Sequence, residues 1–461
     1  MAGQKTKLTF IADTHHFSLS LANDGRAYDL RSGSDQKCLK ETGGIIDAAF
    51  SHISKSDTEA VLIIGDLTND GETVCHNEFL SKLYALQKAK PVYVITATHD
   101  WCCDQNPRRY DGNNVYADVP TLSHEQLREF YYDFGSKQAI SEYITHLGTS
   151  SYTVDIGENV RLLALNDDQN GKGRAGFTDE HFDWIEQQIS MAKEDGKILL
   201  AMEHHLIMPN IHPLITGGGT CVGDRDEVAA RLADAGLKYM FVGHSHLQGI
   251  SEFTSANGNK IMQINVGSLC GYPSPIVNVT VTDDGLDIET DCVKQFQFEG
   301  KIYDVKKYLA EKAYDLVDRV IDTAKLGKTE FADRLTALQL DGDKYGKLYF
   351  AAKPLLRFVS KATVKDVYKL LKCFGLAKDV DFRTVALMEN RTLIDIIHEV
   401  LLSALDGSAV RYSEESAYYK VVIGAADALV QISNNKLTND IKQTLHNIMT
   451  GGEYNINDCH I

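Results

Sequence analysis

Aspartate and histidine residues occur in five short clusters along the N-terminal part of the chain. In chain order the clusters are Asp13-Thr14-His15, Gly65-Asp66, Thr98-His99-Asp100, Glu203-His204-His205 and Gly243-His244-Ser245-His246. Carboxylate and imidazole groups bind divalent transition metals, and this many of them exceed the four ligands of a single tetrahedral zinc. If folding brings the clusters together, they can hold two neighbouring ions of the iron, manganese or zinc type, bridged by one carboxylate. Two such ions ~3.5–4 Å apart lower the pKa of a shared water towards ~7 and hold the oxygens of an in-line displacement at phosphorus.

Each cluster directly follows a short apolar run that predicts a buried strand. These predicted strands are Lys7–Ala12, Ala60–Ile64, Pro91–Ala97, Lys197–Met202 and Lys238–Val242. Amphipathic stretches that predict helices lie between them: Leu39–Ser54, Thr73–Lys90, Thr178–Lys193 and Asp224–Ala235. The alternation is typical of an α/β core with parallel strands, whose carboxyl ends form a ligand crevice. The five clusters are therefore expected to meet in one place.

Four further strands follow without intervening helices and predict a second, partly antiparallel sheet. They are Thr149–Asp155, Val160–Leu165, Lys260–Val266 and Ile276–Thr282. Residues 102–147 are predicted as an insertion after the third strand. From residue 299 onward the pattern is helical, with almost no strand signal. The sequence thus predicts two domains, an α/β domain over residues 1–298 and a separate all-α domain of unknown role over residues 299–461.

The negative charge of the chain is concentrated in its first part. Residues 1–300 hold 24 Lys and Arg against 42 Asp and Glu, a net charge of −18, whereas residues 301–461 hold 23 against 22, a net charge of +1. Long nucleic acids and anionic membranes both require clustered positive charge, so neither is an expected partner. A small phosphoester remains a suitable partner, because bound cations can attract it locally. The oligomeric state stays open.

No segment of the sequence predicts export or membrane insertion. The apolar run after the basic start is too short for a signal peptide, and no run approaches the ~18 residues that cross a bilayer. The nine cysteines are odd in number and include no Cys-x-x-Cys pair. Reduced thiols in the cytoplasm are the expectation from this pattern.

In the order DxH, GDxxxxG, HD, HH and GHxH, the clusters resemble the motifs of the calcineurin-like metallophosphoesterases. The resemblance spans roughly residues 5–290. Within the family, the sequence is most similar to bacterial proteins of the class III cyclic-nucleotide phosphodiesterase type with a helical C-terminal domain. It implies a two-sheet sandwich flanked by helices, an αββα fold. The ligands that it implies are Asp13, His15 and His246 for a first ion, His204 and His244 for a second ion, and Asp66 bridging both.

The same resemblance implies catalytic roles for two residues after the third strand. His99 would lie beside the phosphate, as a general acid or as a donor to the developing charge. Asp100 would orient the loop that carries His99.

Two positions depart from the family pattern. Thr98 stands where the family has Asn, and since a hydroxyl is a weaker ligand than an amide oxygen, the second ion is expected to bind less tightly. Asn69 stands where phosphoprotein phosphatases have an Asp, so His99 is expected to lack a carboxylate partner, which disfavours that activity. Thr98 and His205 are expected as weak metal or substrate contacts. Asn166-Asp167-Asp168 also ends a predicted strand and is interpreted as a surface loop.

The sequence as a whole predicts a metal-dependent phosphoester hydrolase in which a hydroxide bridging two divalent ions attacks phosphorus. A phosphodiesterase acting on small substrates such as cyclic nucleotides is the first interpretation. A phosphomonoesterase or a nuclease-like phosphoesterase is the alternative among enzymes. Outside the enzymes, the alternative is a metal-binding scaffold with reduced catalysis, because Thr98 replaces the usual Asn.

Overall fold

The computed structural model describes residues 5–33, 37–209, 220–322, 325–337, 346–375, 382–407, 412–433, 435–450 and 457–461. The chain divides into two compact units. The first comprises Met1–Tyr28, Lys37–Leu309 and Tyr454–Ile461, and the second comprises Asp29–Gln36 and Ala310–Glu453. In this division residues 299–309 and the C-terminal end join the first unit, whereas the sequence predicts both in the helical domain. All five Asp/His clusters lie in the first unit.

Nine of the strands that the structure describes in the first unit follow the predicted apolar runs closely, whereas the other eight were not predicted, among them two within residues 299–461, where the sequence predicts only helices. In chain order the strands are β1 Thr6–Ala12, β2 Ala60–Ile64, β3 Val92–Ile95, β4 Arg109–Asp111, β5 Asn114–Tyr116, β6 Ser141–Ile144, β7 Ser150–Ile156, β8 Val160–Ala164, β9 Ile198–Met202, β10 Tyr239–Val242, β11 Gly249–Thr254, β12 Lys260–Asn265, β13 Pro275–Thr282, β14 Gly285–Cys292, β15 Gln295–Phe298, β16 Lys301–Asp304 and β17 Asp458–His460. Every residue of β2 is buried, as expected for a strand that is covered on both faces.

Two mixed sheets form the body of this unit. One has the strand order β17-β14-β13-β1-β2-β3, and the other has the order β11-β12-β10-β9-β8-β7-β6. In the first sheet β1, β2 and β3 run parallel, while β13 lies antiparallel to β1. In the second sheet β8, β9, β10 and β12 run parallel, while β7 and β11 are antiparallel to their neighbours. This is the two-sheet α/β sandwich that the sequence predicts.

The predicted assignment of strands to the two sheets is wrong, although the strands themselves form. β9 and β10 were expected beside β1, β2 and β3, but they pair with β8 and β12 in the other sheet. β13 was expected in the second sheet, but it pairs with β1. The apolar pattern of a strand reports that its faces are covered, and it does not report which strand lies alongside.

The helices cover the sheets or form the second unit. In chain order they are α1 Arg26–Ser32, α2 Thr42–Ile53, α3 Thr73–Gln87, α4 His124–Phe130, α5 Asp179–Glu194, α6 Arg225–Ala235, α7 Val305–Asp322, α8 Lys328–Ala337, α9 Tyr349–Val359, α10 Val364–Cys373, α11 Phe382–Leu387, α12 Leu393–Leu405, α13 Ala417–Ile432 and α14 Lys436–Thr450. The Thr178 side chain caps α5 by accepting a hydrogen bond from the backbone N–H of His181. Phe182, Ile185 and Ile189, at helical spacing, pack this helix into an apolar cluster with α6 and the second sheet.

The second unit is helical in the residues that the structure describes. Its apolar cluster joins α10, α11, α12, α13 and α14 through residues such as Val364, Ile396, Val422 and Met449. Capping boxes begin α10 and α12, so local sequence signals set both helix starts. Within the described part of the chain, no helix combines the length and the apolar character needed to cross a membrane.

A buried apolar core holds the two sheets of the first unit together. Phe10 on β1 and Phe241 on β10 stack with ring centroids 3.8 Å apart and an interplanar angle of 8°, and both rings are fully buried. Met240 and Val242, the neighbours of Phe241, belong instead to the cluster around α5 and α6, as the alternation of side chains along a strand requires. This stacked pair therefore joins the strand that leads to Asp13 with the strand that leads to His244.

We predict that Phe241→Ala lowers the free energy of unfolding of the first unit by about 3–5 kcal/mol, because a fully buried ring is replaced by a cavity. Urea unfolding followed by tryptophan fluorescence measures this, since Trp101 and Trp184, the two tryptophans of the chain, both lie in the first unit. Leu19→Ala, at a side chain that is 56% exposed, is the control and should change stability little. A Phe241→Ala loss as small as that of the control would contradict the role of the stacked pair.

Candidate metal centre

The backbone bends sharply where β1, β2 and β10 end. Asp13, His15, Asp66, His244 and His246 have φ angles of 51°, 41°, 49°, 61° and 59°. Residues other than glycine rarely occupy this left-handed region, at a cost of roughly 1–3 kcal/mol each, and such conformations concentrate at functional sites. Five of them in three separate segments mark these strand ends as a site whose geometry the surrounding structure enforces.

Gly65 allows the end of β2 to approach β9 very closely. Its φ is +62°, and a Cβ at this position would lie 2.6 Å from His204 Nδ1 and 2.7 Å from Ala97 Cβ. The Gly65 carbonyl also accepts a hydrogen bond of 3.3 Å from the backbone N–H of Asp13. The glycine of the second motif is therefore required both for its backbone conformation and for space.

The first group of converging side chains contains Asp13, His15 and His246. One ligand atom from each lies within 4.8 Å of the others. His15 Nε2 is 3.0 Å from His246 Nε2, and Asp13 Oδ1 is 3.8 Å from the former nitrogen and 3.5 Å from the latter. These are the three residues that the sequence predicts for a first ion.

The second group contains Asp66, His204 and His244, again with one ligand atom each within 4.8 Å. His204 Nε2 lies 3.1 Å from Asp66 Oδ2 and 3.1 Å from His244 Nδ1. The other ring nitrogen, His204 Nδ1, is 3.2 Å from the carbonyl oxygen of Ile64, which orients the ring. These are the residues that the sequence predicts for a second ion.

Asp66 links the two groups. Its Oδ2 lies 3.9 Å from His15 Nε2 in addition to its contact with His204, and Asp66 also forms a third group with His15 and His99. Its Oδ1 accepts a hydrogen bond of 2.9 Å from the backbone N–H of His99. Thr98 Oγ1 lies 3.5 Å from the same oxygen. Asp66 therefore lies between the two groups, with Thr98 beside it, and its role as a bridging ligand stays a prediction.

The expectation that His99 lacks a carboxylate partner is wrong. Asn69 does not supply one, but the next residue does: Asp70 Oδ1 lies 3.4 Å from His99 Nδ1. The same nitrogen also contacts the backbone carbonyl oxygen of Asn69. Asn69 contributes a second bond, because its side-chain amide donates to Asp70 Oδ2 at 2.9 Å. The sequence comparison missed this carboxylate because it is shifted by one residue from the position that the motif specifies.

Asp100 contacts the backbone of the loop and not the two metal-binding groups. Its carboxylate is fully buried and accepts hydrogen bonds from Thr68 N at 3.0 Å and from Ala97 N at 2.8 Å. It thereby closes the segment after β3 that carries Thr98, His99 and Asp100, called the His99 loop below. These hydrogen bonds are compatible with the orienting role predicted for Asp100, which stays a prediction.

His205 lies beside the second group without being part of the groups found among the described residues. Its ring centroid is 4.4 Å from that of His244, but its Nδ1 and backbone N–H both contact Asp167 Oδ2, at 3.1 and 2.7 Å. The interpretation of Asn166-Asp167-Asp168 as a surface loop is wrong, since all three residues are buried. The available signal was their place at the end of β8, beside β9, as at the other clusters.

Lys37 is a further residue at the centre that no motif indicates. Its side chain is buried, and Nζ lies 3.1 Å from His15 Nδ1. It precedes α2, in a segment with neither strand nor metal-ligand pattern, so the sequence offered no signal for it. Its ammonium group adds a positive charge on the side of the first group.

The match to a family model agrees with this geometry. The model of the calcineurin-like phosphoesterases matches residues 6–248, which include all five clusters. The chain belongs to this family. It is a metallophosphoesterase, and the two groups joined by Asp66 are the candidate binding site for the dinuclear metal on which this family depends.

Solved structures resemble the phosphoesterase at low identity. A dimetal phosphatase from Danio rerio is 12% identical, with a TM-score of 0.44, 65% of this chain covered and 99% of that chain. The purple acid phosphatase PPD1 from yellow lupin (Lupinus luteus) seeds is 12% identical, with a TM-score of 0.43 and coverage of 66% and 53%. The NAD nucleotidase of Haemophilus influenzae is 12% identical, with a TM-score of 0.33 and coverage of 79% and 62%. None of the curated proteins compared with the chain is a significant match.

The donor atoms at the centre fit divalent cations. Two pairs of imidazole nitrogens face each other, His15 with His246 at 3.0 Å and His204 with His244 at 3.1 Å. The two nitrogens of each pair can share only a proton between them. Each pair also has a carboxylate nearby, Asp13 at the first and Asp66 at the second, in a group whose ligand atoms lie within 4.8 Å of one another. Cations bound between nitrogen and oxygen ligands would satisfy all of these atoms, and the mixture suits iron, manganese or zinc.

The pKa of His204 reflects the negative charge that surrounds this ring in the second group. Burial, the largest single influence, lowers the pKa of His204, but the carboxylates of Asp66, Asp13 and Asp167 together raise it to about 10. The protonated ring compensates the buried Asp66 carboxylate, which would otherwise be very unfavourable. A metal ion that binds His204 therefore has to displace this proton.

The pKa values of His15 and His244 are lowered, which favours the neutral form of both rings. Burial, followed by the charge of Lys37, lowers the pKa of His15 well below its usual range. Burial, followed by the charge of His205, does the same for His244. A neutral imidazole is the form that binds metal ions. Because Lys37 donates to Nδ1 of His15, the ring proton of His15 lies on Nε2, the nitrogen that faces His246 and Asp13, and a metal ion has to displace it there.

We predict that Asp66→Asn reduces the metal content of protein purified without chelator from roughly one to two transition-metal ions per chain to a small fraction of that, because an amide lacks the charge that draws both ions to a shared ligand. Inductively coupled plasma mass spectrometry measures this directly. Asp47→Asn, at an exposed carboxylate paired with Lys82, is the matched control. Equal metal content in the two variants would contradict the bridging position of Asp66.

We predict that Thr98→Asn tightens binding of the weaker ion by about 10-fold, because the amide oxygen is a better ligand than the hydroxyl beside Asp66. Calorimetric titration with Mn²⁺ measures both binding steps. Thr98→Val, which removes the hydroxyl and keeps the shape, should bind the weaker ion no more tightly than the wild type. Unchanged affinity in Thr98→Asn would show that Thr98 does not weaken the second site.

Proposed function

We propose that this metallophosphoesterase is a phosphodiesterase acting on small substrates, with cyclic nucleotides as the first candidate. The resemblance of its motifs to class III cyclic-nucleotide phosphodiesterases supports this substrate class. The observation that carries the hydrolase chemistry is the pair of three-residue groups joined by Asp66, with His99 beside them.

Exposure of the side chains indicates where a substrate can enter. The side chains of Asp13 and His15 are 0% exposed and that of Asp66 is 2% exposed, whereas that of His99 is 32% exposed. A phosphoester can therefore reach the centre from the side of His99. Two bound divalent ions would supply a nucleophile from water near neutral pH and neutralise charge on the phosphate.

His99 is placed to act on the reacting phosphoester. Asp70 and the Asn69 carbonyl take its Nδ1, which leaves Nε2 as the nitrogen that can reach the substrate. Burial and then Lys37 lower the pKa of His99, but Asp66 and Asp70 outweigh them and raise it above its usual value. Cations bound to Asp66 would cancel much of the effect of Asp66 on the pKa of His99. Asp70 would then be the carboxylate that stabilises the protonated His99 ring. A protonated Nε2 can donate to the leaving oxygen.

The negative charge of residues 1–300 favours small, singly charged substrates. Residues 1–300 carry a net charge of −18, which repels a long polyanion and leaves attraction to the bound cations and to Lys37 beside His15. A phosphodiester carries one negative charge at neutral pH, and a phosphomonoester carries close to two. The diester therefore requires fewer cationic contacts than the monoester does.

We predict that, with added Mn²⁺, kcat/KM for bis(p-nitrophenyl) phosphate exceeds that for p-nitrophenyl phosphate by about 10-fold, and that 3′,5′-cyclic AMP is hydrolysed. With 3′,5′-cyclic AMP, whose alkoxide leaving group requires a proton, His99→Ala should lower kcat by ~10²–10⁴-fold with little effect on metal content, since it removes a proton donor. His52→Ala, at an exposed histidine on α2, is the control and should retain wild-type turnover.

Other outcomes of the same panel would replace the proposal. Preference for p-nitrophenyl phosphate would indicate a phosphomonoesterase, and turnover of a single-stranded oligonucleotide above that of the small diesters would indicate a nuclease. A protein with metal bound and no turnover on any of these substrates would indicate a binding scaffold.

A further inference from the structure

A buried histidine that the metal centre does not use lies directly behind the His99 loop. His76 is on α3 and is fully buried. Its Nε2 lies 2.9 Å from the backbone carbonyl oxygen of Asp100, and its Nδ1 lies 2.7 Å from the hydroxyl oxygen of Tyr131. Both ring nitrogens thus have a partner, one in the His99 loop and one in the segment 102–147 that follows it.

These partners define a single protonation state of the ring. A carbonyl oxygen can only accept hydrogen bonds, so Nε2 of His76 carries the proton and donates it to Asp100. Nδ1 then holds the lone pair and accepts a hydrogen bond from the Tyr131 hydroxyl. Burial lowers the pKa of His76 to about 4, which keeps the ring neutral at physiological pH. The His76 ring therefore links the His99 loop to the segment 102–147 through one hydrogen bond to each.

The bond from His76 completes the anchoring of Asp100. The Asp100 carboxylate accepts from the backbone N–H and hydroxyl of Thr68, at 3.0 and 3.1 Å, and from the backbone N–H of Ala97 at 2.8 Å. With His76 on its carbonyl, Asp100 is held through both its side chain and its main chain. Since His99 directly precedes Asp100, the backbone of His99 is fixed by the same contacts.

A shift in the backbone of His99 would change both its backbone contact with Asp66 and its ring contact with Asp70. Its backbone N–H donates to Asp66 Oδ1 at 2.9 Å, and its ring lies 3.4 Å from Asp70 Oδ1, longer than an ordinary hydrogen bond. A small displacement of the loop would lengthen the ring contact further and rotate Nε2 away from the substrate. Displacements of ~1 Å in reacting groups can cost ~10²-fold in rate.

We propose that His76 and Tyr131 are positioning residues that hold the His99 loop in its productive geometry through the carbonyl of Asp100. This proposal rests on the proposed function, since it assigns His99 the task of acting on the phosphoester. It gives the segment 102–147 a role in catalysis, because Tyr131 connects that segment to the His99 loop through His76. Neither residue touches the metal-binding groups in the contacts described.

Variants at these two positions test the proposal in the full-length, Mn²⁺-loaded enzyme with 3′,5′-cyclic AMP, whose alkoxide leaving group requires the proton that His99 is proposed to donate. His76→Leu should lower kcat by about 10–100-fold with KM and metal content near wild type. His76→Gln should recover most of the activity, because the amide nitrogen of Gln can donate to the Asp100 carbonyl from the place of Nε2. Tyr131→Phe should lose about 5-fold, as expected for one hydrogen bond.

Two controls separate positioning from general destabilisation. His181→Leu alters another buried histidine, on α5, and should change thermal stability without a comparable change in kcat. In a His99→Ala background, His76→Leu should reduce kcat by less than about 2-fold, because the two residues act through one group. A full 10–100-fold loss in that background would overturn the proposal, since His76 would then act independently of His99.

A readout that needs no turnover distinguishes failure of this proposal from failure of the proposed function. In Zn²⁺-loaded protein with ¹⁵N-labelled histidine, the His99 ring signal, assigned by its loss in His99→Ala, should shift in His76→Leu and stay near its wild-type position in His76→Gln and His181→Leu. An unchanged His99 signal in His76→Leu would overturn the positioning role whether or not the protein hydrolyses phosphoesters. Absence of turnover in the wild type with the expected shift present would count against the proposed function alone.

Discussion

The buried carboxylate of Asp66 is the group around which the candidate site is arranged. One oxygen faces the rings of His204 and His15, and the other accepts the backbone N–H of His99. A carboxylate with so little contact with water is stable only if positive charge and hydrogen-bond donors surround it. The same requirement that stabilises Asp66 therefore assembles a ligand set for two cations and places His99 beside it.

The spacing of this ligand set depends on the packing between the two sheets. Asp13 and Asp66 follow strands of one sheet, whereas His204 and His244 follow strands of the other. The contact between the sheets, with its stacked Phe10 and Phe241, fixes how far apart these strand ends lie. The backbone N–H of His244 donates to both carboxylate oxygens of Asp13, each at 3.1 Å, which shows how closely the two sheets meet at this edge. The packing of the core between the two sheets therefore also sets the distances between the side chains of the candidate site.

His99, the residue proposed to act on the substrate, is held differently from the predicted metal ligands. Predicted ligands such as His204 are buried and held by protein groups, while His99 is partly exposed and depends on its loop. Asp70 supports its ring, and Asp100 with His76 supports its backbone. A displacement of this loop would move the ring of His99 and also the backbone N–H that His99 donates to Asp66. These supporting contacts are the ones that the proposed positioning role of His76 depends on.

The order and type of residues determined the local features of this protein. Apolar runs predicted nine strands of the first unit to within a few residues, and amphipathic stretches predicted four of its helices equally well. The polar clusters at the strand ends predicted which side chains would meet. These features depend on interactions between residues that are near in sequence, and on the general rule that strand ends share an edge.

Partners that are distant in the chain were decided only by the tertiary structure. Which sheet contains β9, β10 and β13 depends on long-range pairing that the apolar pattern does not encode. The burial of Asp167, the contact of Lys37 with His15 and the link from His76 to Tyr131 join segments without a common motif. Even the carboxylate beside His99 was misjudged, because a motif specifies a position in the chain, whereas the turn between Asp66 and Glu72 decides which side chain reaches the ring.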